Sequence, residues 1–155
     1  MTARYIKLLT MAREDFSFFH PLRVRWAEVD MQGIVFNGHY LTYFDVAFTE
    51  YWRATGLPTV LQQAEEGREM FARKATIEYQ APARFDDMLD IGVRCVSFGR
   101  TSVRFAVEIY HGDEHLVTGE LVYVYADTTL RKGVPWPEDW RETITRFEKR
   151  PPEAL

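Results

Sequence analysis

The sequence predicts an α+β fold in which an antiparallel sheet of about five strands wraps one long aromatic helix. Three observations carry this. Between Gly38 and Thr55, rings recur at helical spacing. From Glu69 to Ala126, four strand-like runs follow, joined mainly by hairpin signals. Before the helix, His20 to Asp30 shows the two-residue period of a strand. Aromatics make up 15% of the chain, which a ring-rich interior accounts for.

Each element follows in order. In the first strand Leu22, Val24 and Trp26 face one way, and Arg23 and Arg25 the other. The stretch MQGIVFNG is irregular, with Gly33 and Gly38 giving the backbone freedom to turn. In the helix, Tyr40, Phe44, Ala47, Phe48 and Tyr51 form an apolar stripe, widened by Leu41 and Trp52. Thr42, Asp45, Thr49 and Arg53 form the opposite face. Asn37 is the expected N-cap, and Gly56 followed by Pro58 ends the helix. A short helix is expected over Thr59–Glu66. Strands follow over Glu69–Gln80, Leu89–Phe98, Thr101–Tyr110 and His115–Ala126, then a helix over Glu138–Glu148.

With 155 residues the chain forms one domain. The expected division is an N-terminal extension over residues 1–19, the domain over 20–148 and a polar tail over 149–155. Met11 is a second candidate start, since MAREDFSFF leads straight into the first strand. Lys and Arg number 19 against 23 Asp and Glu, a net charge of −4, so the basic footprint of a nucleic-acid binder is absent. No apolar run reaches the length of a membrane span. One cysteine excludes an internal disulfide and fits a reducing, cytoplasmic setting.

The chemistry concentrates in Asp30-Met31-Gln32-Gly33-Ile34-Val35-Phe36-Asn37-Gly38-His39-Tyr40. A carboxylate ends a strand, a glycine loop follows, and a helix begins. A helix start offers unpaired N–H groups and partial positive charge. Such donors stabilise the oxyanion of acyl transfer. A nearby carboxylate can attack the carbonyl or activate water. By residue type alone, Asp30 also reads as an ordinary turn former. No G-x-S-x-G elbow is present, against an α/β-hydrolase.

The span Arg25–Leu57 resembles the hotdog-fold thioesterases of the 4-hydroxybenzoyl-CoA thioesterase group, including the Tol–Pal-associated acyl-CoA thioesterases. The matching residues are Asp30, Gly33, Val35, Asn37, Tyr40, Phe44 and Gly56–Leu57. IEYQAPARFDD, SFGRTS and VPWPEDW match further family motifs in order, so the resemblance runs from Leu22 to Trp140. It implies a hotdog fold and hydrolysis of an acyl-CoA to free acid and CoA. Asp30 would be nucleophile or general base, with the backbone N–H groups of Phe36, Asn37 and Gly38 in the same loop pointing at the thioester carbonyl. Phe36, His39, Tyr40, Tyr43 and Phe44 would contact the substrate. Gly99, Arg100, Thr101 and Ser102 would lie near the CoA nucleotide or pantetheine arm. The resemblance also implies a homodimer or dimer of dimers with sites between subunits, and no cofactor, CoA being part of the substrate.

Other readings of these residues stand beside that one. A hotdog enoyl-CoA hydratase or dehydratase would pair Asp30 with a histidine such as His39. A non-catalytic acyl-CoA binding module would keep the pocket alone. Glu28 reads as a solvated strand-end carboxylate, and His39 as pocket wall or surface. Tyr51 is a further candidate for the acyl pocket. His111 and His115 straddle a turn and read as exposed. No histidine has metal-ligand spacing, so no metal is expected. Cys95 reads as core.

Overall fold

The computed structural model describes residues 11–154. Residues 1–10 of the extension, and with them the choice between Met1 and Met11, lie outside the described residues. Five long strands form the sheet: β1 (Phe19–Arg23), β2 (Arg68–Tyr79), β3 (Met88–Phe98), β4 (Ser102–His111) and β5 (Glu114–Asp127). Their order is β1-β3-β4-β5-β2, and every neighbouring pair is antiparallel. Two short strands, β6 (Lys132–Gly133) and β7 (Glu153–Ala154), pair with β5 and β3. The helices are α1 (His39–Thr55), α2 (Val60–Glu65) and α3 (Glu138–Phe147).

The aromatic stripe of α1 is the core. Tyr40, Tyr43, Phe44, Ala47, Phe48, Tyr51 and Trp52 are all buried, while Leu41 is exposed. Phe48 stacks on Tyr123 of β5, with centroids 4.3 Å apart, and meets Phe105 of β4 edge-on. Gly119 permits this closeness. A Cβ there would lie 2.2 Å from Phe44 Cε2, so any side chain would push the helix off the sheet. Gly56 ends α1 in the left-handed conformation, with φ 76°, and its N–H bonds to the Arg53 carbonyl.

Two local expectations are corrected. The first strand stops at Arg23 and does not run to Asp30. Trp26–Glu28 instead forms a 3-10 turn, because the Glu28 carboxylate accepts the Arg25 N–H at 2.7 Å and its guanidinium at 2.9 Å. Trp26 is thereby turned out to solvent, 75% exposed. The N-cap of α1 is Gly38, not Asn37, with no side-chain cap. Asn37 contributes its carbonyl, which accepts from the Tyr40 N–H and the Tyr79 hydroxyl.

The described part of the extension packs on the sheet: Phe16 is buried against Gly92, and Arg13 pairs with Asp90. At the other terminus, buried Glu148 joins three elements. Its Oε1 accepts from the Tyr51 hydroxyl at 2.6 Å and the Cys95 N–H at 2.8 Å, while Oε2 has no partner among the described residues. Cys95 is fully buried, as its strand position predicts.

Burial raises the Glu148 pKa, opposed by the hydrogen bonds from Tyr51 and Cys95. A carboxyl raised on folding contributes stability below its unfolded pKa and loses it as pH rises through the folded value. Glu148→Gln keeps the oxygen acceptor and removes that charge. Its urea midpoint should therefore gain on wild type between pH 4 and pH 8. A difference independent of pH would show that Glu148 is not titrating in this range.

Candidate active site

The loop from Asp30 to Gly38 is built by backbone bonds. The Gly33 N–H closes a turn onto the Asp30 carbonyl at 3.0 Å, with Gly33 at φ 77°. The Asp30 N–H then bonds to the Ile34 carbonyl at 2.9 Å. Positive φ favours glycine, which is the physical content of the Asp-x-x-Gly spacing. Past the turn, the chain runs back beside itself and beside the β2–β3 connection. Val35 bridges Val29, Ile34 bridges Arg84, and the Val35 N–H bonds to the Ala83 carbonyl.

Hydrogen bonding decides which N–H groups at the helix start remain available. Phe36 is corrected as a donor to the substrate, since its N–H is engaged by the Glu28 carbonyl at 3.0 Å; His39 donates to Phe36 and Tyr40 to Asn37. Among the described residues, the N–H groups of Asn37 and Gly38 have no such acceptor. They lie where the partial positive charge of α1 is concentrated. The Asp30 carboxylate accepts the Gln32 N–H on Oδ1 at 2.8 Å, leaving Oδ2 free of hydrogen bonds among the described residues.

A groove of about 330 Å³ opens here, lined on one side by Asp30, Gln32, Ile34, Val35, Asn37 and Tyr40 and on the other by Tyr79–Pro82. Tyr40 fixes the two sides together. Its hydroxyl accepts the Ala83 N–H at 3.0 Å, and its ring meets Tyr79 edge-on. Burial raises the Tyr40 pKa, opposed by that N–H, so the phenol stays protonated at neutral pH.

Asp30, Asn37 and Tyr40 thus share one groove, with Gly38 beside it. Phe36 is half exposed and meets His39 edge-on. Tyr43, Phe44 and Tyr51 lie in the core and are not groove walls within one chain. The Gly99–Ser102 turn is separated from the groove by the length of the sheet. It joins β3 to β4 where Ser102 pairs with Val124, whereas the groove abuts the opposite end, where Tyr79 pairs with Val117. Val117 and Val124 are seven residues apart on β5, so the gap along the strand is roughly 23 Å. The wall Tyr79–Pro82 is not singled out by residue chemistry, although the adjoining Pro-Ala-Arg motif marks it.

Glu28 is buried, contrary to its reading as a solvated carboxylate. Burial opposes its ionisation, but the Arg25 guanidinium and N–H outweigh this and hold its pKa below the ordinary range. Burial, with the Glu28 charge, raises the nearby Tyr43 phenol. His115 is likewise corrected: its ring lies beside buried Glu108 and Thr118, not in solvent.

The profile of the Thioesterase superfamily matches residues 32–118, beginning two positions after Asp30. The chain belongs to this superfamily. Among its thioesterase relatives, the acyl-CoA thioester hydrolase YbgC of Escherichia coli is 35% identical over 123 residues, covering 78% of this chain and 90% of the relative. A thioesterase from Thermus thermophilus, solved with coenzyme A and Zn, superposes with TM-score 0.76 at 27% identity, covering 89% of this chain and 98% of that one. A 1,4-dihydroxy-2-naphthoyl-CoA thioesterase from Synechocystis shares the fold with TM-score 0.76 at 21% identity, covering 82% and 94%. The thioesterase fold is therefore the one the alternating runs predict: a curved antiparallel sheet around α1.

Glu28→Ala removes the carboxylate that caps the start of the 3-10 turn before Asp30. It should lower stability by about 0.5–2 kcal/mol, the usual worth of an N-terminal cap. Urea unfolding measures this. An unchanged midpoint would show that the turn stands without Glu28.

Proposed function

We propose that this chain hydrolyses acyl-CoA thioesters, with Asp30 acting opposite the N–H groups of Asn37 and Gly38. The observation that carries the reading is that a carboxylate with a free oxygen and a helix start with two unengaged donors border one groove. The thioester carbonyl lies with its oxygen toward the donors, which stabilise the charge that develops there. Asp30 takes a proton from the attacking water, or attacks the carbonyl carbon itself. In either case the tetrahedral intermediate collapses with loss of the CoA thiolate, which is a good leaving group and makes a serine triad unnecessary. In the second route water then opens the acyl–Asp30 anhydride and frees the carboxylate. Hydrolysis gives free acid and CoA, and the reading needs no cofactor. An acyl-CoA substrate also favours the cytoplasm.

Phe36 and His39 flank the acyl end at the groove rim, and Tyr40 forms its floor. Gly99, Arg100, Thr101 and Ser102 enter the reading only from a second subunit, where they would lie along the CoA arm. Two features support a dimer or dimer of dimers. β2 occupies a sheet edge with residues 71–75 exposed. The outer face of α1 exposes Leu41 and Val46.

Asp30→Asn should lower kcat by about 10²–10⁴-fold, the usual worth of a positioned acid or base, with CoA affinity kept. Near-wild-type turnover by this variant would refute the assignment. A panel of aryl, branched and straight-chain acyl-CoA esters identifies the acyl group. Arg100→Ala should raise KM more than it lowers kcat, and an unchanged KM would remove the hairpin from the site.

A further inference from the structure

Four tryptophans occur in the chain, and three are buried: Trp52, Trp136 and Trp140. Trp26 is 75% exposed and is held edge-on by Phe85 at 5.1 Å, itself 48% exposed. Exposing two large rings costs hydration free energy that a solvated loop would avoid with polar residues. The pair flanks the site loop. Trp26 opens the turn that leads into Asp30, and Phe85 follows Ala83 and Arg84, whose backbones pair with Val35 and Ile34. The rings therefore sit on segments that lead into the two groove walls, though not among the lining residues themselves.

Basic residues adjoin both rings in sequence. Arg23 is paired with Asp86, and Arg25 with Glu28. Arg84 differs: its N–H donates to Asp87, while its guanidinium has no partner among the described residues. A held, exposed indole and an uncommitted guanidinium on the segment that carries its ring partner suit a planar base carrying phosphates. Bases stack on aromatic faces, and arginine binds phosphate oxygens in pairs.

We propose that Trp26 and Arg84 form the subsite for the adenine nucleotide of the CoA substrate, with the base stacked on Trp26 and its phosphates held by Arg84. The proposal rests on the acyl-CoA reading above and deepens it. It places the nucleotide on the same chain as Asp30, so that the hairpin of a second subunit holds only the pantetheine arm.

The first test uses the wild-type protein. Since Trp26 is the exposed tryptophan, acrylamide quenching of fluorescence reports on it, and free CoA should shield it while phosphopantetheine should not. This reads binding without turnover, so a protein inactive on every thioester but shielded by CoA would fail the hydrolase reading and keep the subsite. The second test compares acyl-CoA with the same acyl group on N-acetylcysteamine. Trp26→Ala and Arg84→Gln should each raise KM for the CoA ester about tenfold, within the range of base–aromatic stacking. KM for the short ester should not move, and Trp26→Phe should restore stacking and KM. Three results would each overturn the proposal: Trp26 already shielded without CoA, equal loss on both esters, or a nucleotide-dependent loss in Arg100→Ala with none in Trp26→Ala.

Discussion

The arrangement of the molecule depends on how closely α1 approaches β5. That distance is set at Gly119, where the Phe44 ring occupies the space a side chain would take. With the helix seated there, Phe48 can stack on Tyr123 and Tyr51 can reach Glu148. The same seating fixes where the helix begins, because Tyr40 in its first turn is tied to Ala83. A packing constraint in the middle of the sheet thus determines the position of polar groups at its end.

The site itself is a problem of allocating hydrogen bonds. Every N–H at a helix start lacks a partner by default, and most are engaged by something nearby. Here the Glu28 carbonyl engages Phe36, and the loop engages His39 and Tyr40 through its own carbonyls. Two adjacent donors remain, beside a carboxylate that is itself half satisfied. The 3-10 turn matters because it puts the Glu28 carbonyl within reach of Phe36. Site geometry and turn geometry are one backbone path.

Much of this was legible in the sequence, and the failures have physical causes. Alternation identified the four later strands and helical spacing identified α1, because burial on one face imposes those periods. The segment Val24–Glu28 also alternates, yet Glu28 closes a local cap that a two-residue period does not register. Gly33 was recognisable because positive φ favours glycine, and Asp30 because it stands in the family motif with Gly33. Which N–H groups stay free was not recognisable, since that depends on the Glu28 carbonyl and on Ala83, nearly fifty residues onward. The same limit applied to Gly99–Ser102: a motif shows that a hairpin exists, while sheet order puts it at the far end from Asp30. The wall Tyr79–Pro82 carries no reactive group and is placed only by the pairing of β2 with β5.

The chain's single cysteine bears on the chemistry in a different way. Thioester hydrolysis releases a thiol, and an accessible protein thiol would exchange with acyl groups or form mixed disulfides with that product. Cys95 is sealed in the core, and burial, reinforced by the Glu148 charge, raises its pKa well above the ordinary thiol range. Thiolate is the reactive form, so the side chain is inert. The chain is therefore chemically silent toward a released thiol, and colorimetric thiol reagents can count that product without labelling the folded protein.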